Sequence, residues 1–261
     1  MSIADAYWHE CRGRFGRLPV WLPGTPMELG DVGVLGPTGW LKKTTLQGLG
    51  LPMAEDPPGS ATDYEYASQG GVTVTAGTAI NAALPVADAY AGVTYRFTRA
   101  GAFVLKAYGA TVRRLANVGD VETGMLRLHE TDKWQAGWTV VTEVTTAQSV
   151  LTLISESEDT EVSVGLRAAV QLPTAEVSAT PRFVLGNWRG SAVKLLTDSP
   201  TALLWRGLYV DDPILRRARG AVRGTSEDEG RAARAHGPGR ARAAEVEFPD
   251  DILVTDVETG S

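Results

Sequence analysis

Apolar residues recur along this chain with two periods, and each period marks a kind of element. Ile3, Tyr7, Cys11 and Phe15 fall four apart, with Trp8 beside them, which puts an apolar stripe on a short helix that Gly16 ends. Further on the spacing changes to two. Val72 and Val74 alternate with Thr73 and Thr75; Val93, Tyr95 and Phe97 alternate with Thr94, Arg96 and Thr98; Val162, Val164, Leu166 and Ala168 alternate with Ser163, Gly165, Arg167 and Ala169. That is the pattern of strands with one dry and one wet face. Residues 18–22 and 30–35, separated by Pro23, Gly24 and Pro26, predict two strands joined by a turn, and residues 52–60 predict a loop. Asp120 reads as the N-cap of a helix carrying Val121, Met125 and Leu128 and ending near Asp132. A strand is predicted over 139–144. Two hairpins follow from the alternation, over 70–106 and 149–170, the second turning through the acidic stretch 155–160. Residues 183–185, 192–197 and 202–210 predict the last strands. The expected fold is α+β: a single domain with a twisted, mainly antiparallel sheet, short flanking helices and a C-terminal docking tail.

Charge divides the chain where the strand pattern stops. Residues 1–210 have a net charge of −3, residues 211–244 of +3 and residues 245–261 of −6. The middle segment carries eight arginines among Gly and Ala, which predicts a flexible, protease-sensitive linker with Arg223, Asp228, Arg231 and Arg234 as the candidate cleavage region. The last segment has no base but interleaves Val246, Phe248, Ile252, Leu253, Val254 and Val257 with its six acids. That much apolar surface predicts docking, so the end of the chain reads as a removable restraint on residues 1–210.

Composition narrows the partners. A pI near 5.2, with no basic stripe before residue 211, excludes nucleic acid as the expected partner, because phosphate neutralisation needs clustered cations. One cysteine rules out a disulfide framework, and three histidines at 9, 129 and 236 have no metal-ligand spacing; no metal or cofactor is expected. No apolar run is long enough for a spanning helix or a leader, so the chain is expected to start in the cytoplasm. His129 beside Glu130 points about 100 degrees away from it on a helix, and the glycines at 30, 33, 36 and 39 lack the Lys-Ser/Thr of a phosphate loop, so no enzyme is expected. The strands of the two hairpins approach the roughly 9 to 11 residues of a membrane-spanning β-strand. Val93, Tyr95, Phe97, Val162, Val164 and Leu166 are then the candidates for a lipid-facing row. The same alternation also marks any sheet with one solvated face.

Several segments, in order, carry a resemblance to a family. The run Trp138-Thr139-Val140-Val141-Thr142-Glu143-Val144-Thr145-Thr146-Ala147-Gln148 looks like the strand before the second membrane hairpin of gasdermin pore-forming domains. Leu18-Pro19-Val20 after the first helix, Trp40-Leu41-Lys42-Lys43-Thr44-Thr45-Leu46, and the closing apolar stretch 200–210 are similar to segments of that family in the same order. Length and the short tail resemble the bacterial members. The resemblance implies an activating protease, trypsin-like or caspase-like, that removes residues 245–261. It further implies self-association into a large ring in the inner membrane, contact with membrane lipids after cleavage, and cell death in antiphage defence. It also implies acylation of a cysteine near the N-terminus, for which Cys11 is the candidate. The alternative from another class is a soluble β-rich binding or scaffold protein whose acidic tail engages a partner.

Overall fold

The computed structural model describes residues 3–36, 39–77, 91–167, 182–211 and 241–246. Its elements in chain order are α1 (Ile3–Phe15), β1 (Leu18–Pro19), β2 (Asp31–Gly36), β3 (Gly39–Thr45), β4 (Thr62–Ala67), β5 (Val72–Gly77), β6 (Ala91–Phe97) and β7 (Phe103–Arg114). There follow α2 (Val118–Glu130), β8 (Thr139–Ala147), β9 (Ser149–Ser155), β10 (Thr160–Arg167), β11 (Arg182–Arg189), β12 (Ala192–Thr197), β13 (Thr201–Asp211) and β14 (Arg242–Glu245). The fold is α+β, with a mainly antiparallel sheet. The chain forms two compact units, each drawn from three separated stretches of sequence: Met1–Met27, Pro57–Arg113 and Val144–Trp205 in one, and Glu28–Asp56, Arg114–Glu143 and Arg206–Ser261 in the other.

In the first unit a sheet runs in the order β4, β7, β9, β12, and its centre, where β9 is buried throughout, is dry on both faces. On one face Phe103, Leu105, Ala107, Val150 and Ile154 pack against Tyr7 and Cys11 of α1. Tyr7 meets Phe103 edge to face, with ring centroids 4.7 Å apart, the arrangement that aromatic quadrupoles favour. On the other face Val104, Leu151 and Leu153 pack against Tyr95, Phe97, Val162, Val164 and Phe183. Those belong to a second sheet, in the order β11, β10, β6, β5. Double burial explains why Val150, Leu151, Leu153 and Ile154 do not alternate with exposed positions, Thr152 between them being buried too, since a strand covered on both sides has no wet face.

Two pairings differ from expectation. The hairpin predicted over 149–170 does not form: β9 pairs with β7 and β12, while β10 pairs with β6 and β11. The acidic stretch 156–159 thus carries the chain from one sheet to the next instead of turning it back. Nor do residues 18–22 pair with 30–35, because β1 lies against Leu204 and Trp205 of β13, and Trp205 Nε1 donates to the Pro19 carbonyl at 3.3 Å. The pairing of β5 with β6 is as expected, from Val72↔Phe97 to Gly77↔Gly92.

In the second unit β2 runs between β3 and the first residues of β8, with Val32 opposite Val140. Helix α2 starts two residues before the predicted cap. Asn117 takes the cap position, but its side chain is engaged elsewhere, accepting from the Ala54 N–H at 2.9 Å and donating to the Pro52 carbonyl at 3.0 Å. Those bonds fasten residues 52–54 to the start of the helix.

Candidate functional site

Three sets of residues carry the functional expectations: the four-stranded sheet, the docked end of the chain, and Cys11. The sheet keeps the alternation of its sequence. Tyr95, Phe97 and Val162 are 1% exposed or less and Val164 is 5% exposed, all on the dry face, with Val93 half-buried beside them. Leu166 pairs with Ala91 and Phe183 in the backbone ladder. Thus Val93, Tyr95, Phe97, Val162 and Val164 of the candidate lipid-facing row face the core. On the wet face Thr94 and Ser163 lie 3.1 Å apart, and Arg96 pairs with Asp159 at 3.0 Å, both side chains well exposed. Exposed pairs of this kind add little to stability, so this face is solvated rather than locked.

Register places the open ends of both strand pairs together. Gly77 lies opposite Gly92, Ala91 opposite Leu166, and Arg167 opposite Arg182, so the connections 78–90 and 168–181 leave from one end of the sheet. The connections themselves lie outside the described residues. At the sides, β5 and β11 are the edge strands among the described residues, with Val74 54% and Trp188 59% exposed.

Residues 242–246 dock, the first four as a strand. β14 pairs antiparallel with β13 in the register Asp211↔Arg242, Val210↔Ala243, Tyr209↔Ala244 and Leu208↔Glu245, and the Val246 N–H donates to the Gly207 carbonyl at 2.9 Å. Helix α2 packs against it. Val246, the first apolar residue of the predicted tail, is 1% exposed. Phe248, Ile252, Leu253, Val254 and Val257 lie outside the described residues, as do Arg223, Asp228, Arg231 and Arg234. Paired residues begin at Arg242, three before the boundary that composition marks, and Asp211, counted with the linker, is the buried last residue of β13. The sequence gives no signal for this: Arg-Ala-Ala-Glu has no strand propensity of its own, and it is β13 that offers the backbone partners.

Cys11 sits on the buried face of α1 with no exposed surface. Burial, reinforced by the charge of Glu10, raises its pKa well above the ordinary thiol value, against a hydrogen bond from the Tyr7 side chain that lowers it. Tyr7 is likewise pushed up, chiefly by burial. The thiol is therefore neutral, and a neutral, inaccessible thiol is a poor nucleophile. Nearby, Glu10 accepts from the Tyr66 hydroxyl at 2.8 Å and pairs with Arg99 at 3.0 Å, tying the outer side of α1 to its unit.

No helix among the described residues is long and apolar enough to cross a membrane. No family model matches this chain, and no curated protein matches it. Among solved structures it is similar to one described as the cryo-EM structure of the gasdermin A3 membrane pore, with 12% sequence identity and a TM-score of 0.31 over 81% of this chain and 91% of that one.

Proposed function

We propose that this chain is an autoinhibited pore-forming protein, released by proteolytic removal of its C-terminal peptide, that assembles in the inner membrane and kills the cell in defence against phage. The observation that carries this reading is the four-stranded sheet, with one dry face, one wet face, two strand pairs open at one end and two edge strands.

Strand length is the first requirement. β6 has seven residues and β10 has eight. With six residues in β5 and eight in β11, and a bilayer needing roughly 9 to 11 per strand, the strands must recruit about one to five residues each from the connections 78–90 and 168–181. Polarity is the second. On insertion Tyr95, Phe97, Val162 and Val164 exchange the apolar core for lipid, a change that costs little because lipid tails are about as apolar as leucine. Arg96, Thr94 and Ser163 then face the lumen. Backbone satisfaction is the third: unpaired backbone groups in hydrocarbon cost several kcal/mol each, so β5 of one copy must pair with β11 of the next until a ring closes.

Restraint comes from the docked end. Tethered through residues 212–241, β14 sees an effective concentration around the millimolar range, and cutting that tether removes the advantage. The arginines of this segment suit a trypsin-like protease and Asp228 a caspase-like one. Cys11 is the lipidation candidate of the reading, and its thiol reaches an acyl donor only when α1 lifts from the sheet beneath it.

The test is association with vesicles of bacterial lipid after cleavage within residues 225–239 at an engineered site. Sedimentation with the vesicles and ring-shaped particles in electron micrographs are expected. A cut protein that stays folded and monomeric in the supernatant contradicts the proposal and favours a soluble binding module.

A further inference from the structure

The contacts between β14 and β13 carry side-chain information as well as backbone bonds. At one end Arg242 Nε lies 3.2 Å from Asp211 Oδ2, where the Asp211 side chain is 6% exposed. At the other, Glu245 Oε1 lies 3.7 Å from Arg206 Nε, both half-exposed. Between these pairs Ala243 and Ala244 are half-buried on a strand that α2 packs against, and Val246 is buried where its N–H meets the carbonyl of Gly207.

These features fix direction and register. Running the segment in the parallel sense brings the Glu245 end to the carboxylate of Asp211, like charge on like charge. A slip of one residue sends every side chain to the opposite face. A slip of two toward the N-terminus is the dangerous one, because it presents Arg240 to Asp211 and satisfies the charge. That slip removes Val246 from its buried place opposite Gly207. Charge and the valine seat together therefore select a single alignment, which neither does alone.

We infer that residues 206–211 of β13 form a sequence-reading peptide site, specific for an extended segment of the pattern Arg-small-small-acid-apolar. Its occupant in trans is the 242–246 segment of a second copy of this chain. Once the tether is cut, the segment loses its intramolecular advantage and copies from neighbouring molecules compete for the same edge. A cleaved population then shares its tails, and free tail released early restrains molecules cut later. The inference rests on the tail-docking part of the reading above. It is tested without a membrane, so that it and pore formation fail separately.

The experiment uses the full chain cut at a site engineered within residues 225–239, both pieces present, and a fluorescent synthetic peptide of residues 239–250. Fluorescence anisotropy should show the peptide displacing the resident tail, with the R242E and V246D peptides weaker by about tenfold or more, as expected for loss of a charge-assisted bond or a buried apolar seat. A D211N chain should lose its discrimination between the natural and R242Q peptides. In the uncut chain, R242E should speed hydrogen exchange at the Val246 amide by about tenfold or more, a readout that needs no fold change in β13. Equal displacement by a scrambled peptide, no displacement up to about millimolar peptide, or unchanged exchange at Val246 would each overturn the inference.

Discussion

Tyr108 of β7 stacks on Phe183 of β11, ring centroids 5.2 Å apart and planes inclined by 20°, and this contact joins the two sheets of the first unit. Phe183 is 4% exposed. Truncating a buried phenylalanine costs about 3 to 5 kcal/mol. Because Tyr108 is only part-buried and can relax into the gap, we expect Phe183→Ala to fall at the low end, about 3 kcal/mol, in urea unfolding. The same variant should release dye faster than the parent once cut, since the four-stranded sheet must leave this contact before it inserts. An equal release rate would mean that sheet separation does not limit insertion.

Gly33 gives a prediction on the fold alone. A Cβ on this residue would stand 2.4 Å from the Leu41 carbonyl oxygen and 2.8 Å from the Trp40 ring, in the middle of the β2–β3 ladder. Backbone cannot yield as a flexible side chain does. Gly33→Ala should cost about 2 to 3 kcal/mol, the upper range for overpacking, and thermal unfolding measures it. Gly50, whose Cβ would meet nothing, is the control for space, although its φ of 72° favours glycine.

Alkaline pH should weaken the first unit in a defined order. Below the ordinary thiol value of 9.0, Cys11 holds its proton in both folded and unfolded chains. Above it the unfolded chain ionises while burial keeps the folded thiol neutral, so stability falls as pH rises, by up to about 1.4 kcal/mol per pH unit. Tyr7 adds the same sign above its ordinary value of 10.0, and Tyr66, pushed up to about 12 by burial and its bond to Glu10, adds more. Cys11→Ala should therefore move the onset of the loss from near pH 9 to near pH 10, seen in urea midpoints across that range. An unmoved onset would show that the thiol does not titrate with unfolding.

Much of the fold is legible in the sequence where one face is wet. The alternation at 93–98 and 162–165 predicts β6 and β10 with their dry rows, and the four-residue spacing of Ile3, Tyr7, Cys11 and Phe15 predicts α1 to its last residue. What the pattern hides is pairing. β9 is buried on both faces, so nothing in its residues says which strand it adjoins, and proximity in sequence points wrongly to β10. β7 escapes notice because Lys106 interrupts its apolar run, yet that lysine pairs with Glu65 at 2.5 Å and reaches over the Tyr95 ring. β14 is the extreme case, a strand made by its partner. Of the docking residues, the tail valine is visible from hydrophobicity, whereas Arg242 and Asp211 look like ordinary linker charges until the register brings them together.

Val246 tests the restraint without a protease. Replacing it by Asp forfeits about 1.5 to 3 kcal/mol of apolar burial and puts a charge in its place. The uncut V246D chain should show faster proteolysis between residues 212 and 241 and leak dye from vesicles, while far-ultraviolet circular dichroism stays that of the parent. Dye retention together with an undocked tail would separate docking from inhibition.

The most direct test of a restrained pore former is dye release from liposomes of bacterial lipid, using the chain with a protease site engineered between Gly224 and Arg240, before and after cutting. A restrained pore former gives no release from the intact chain and rapid release after the cut. No release from a cut protein that remains folded and monomeric would contradict it.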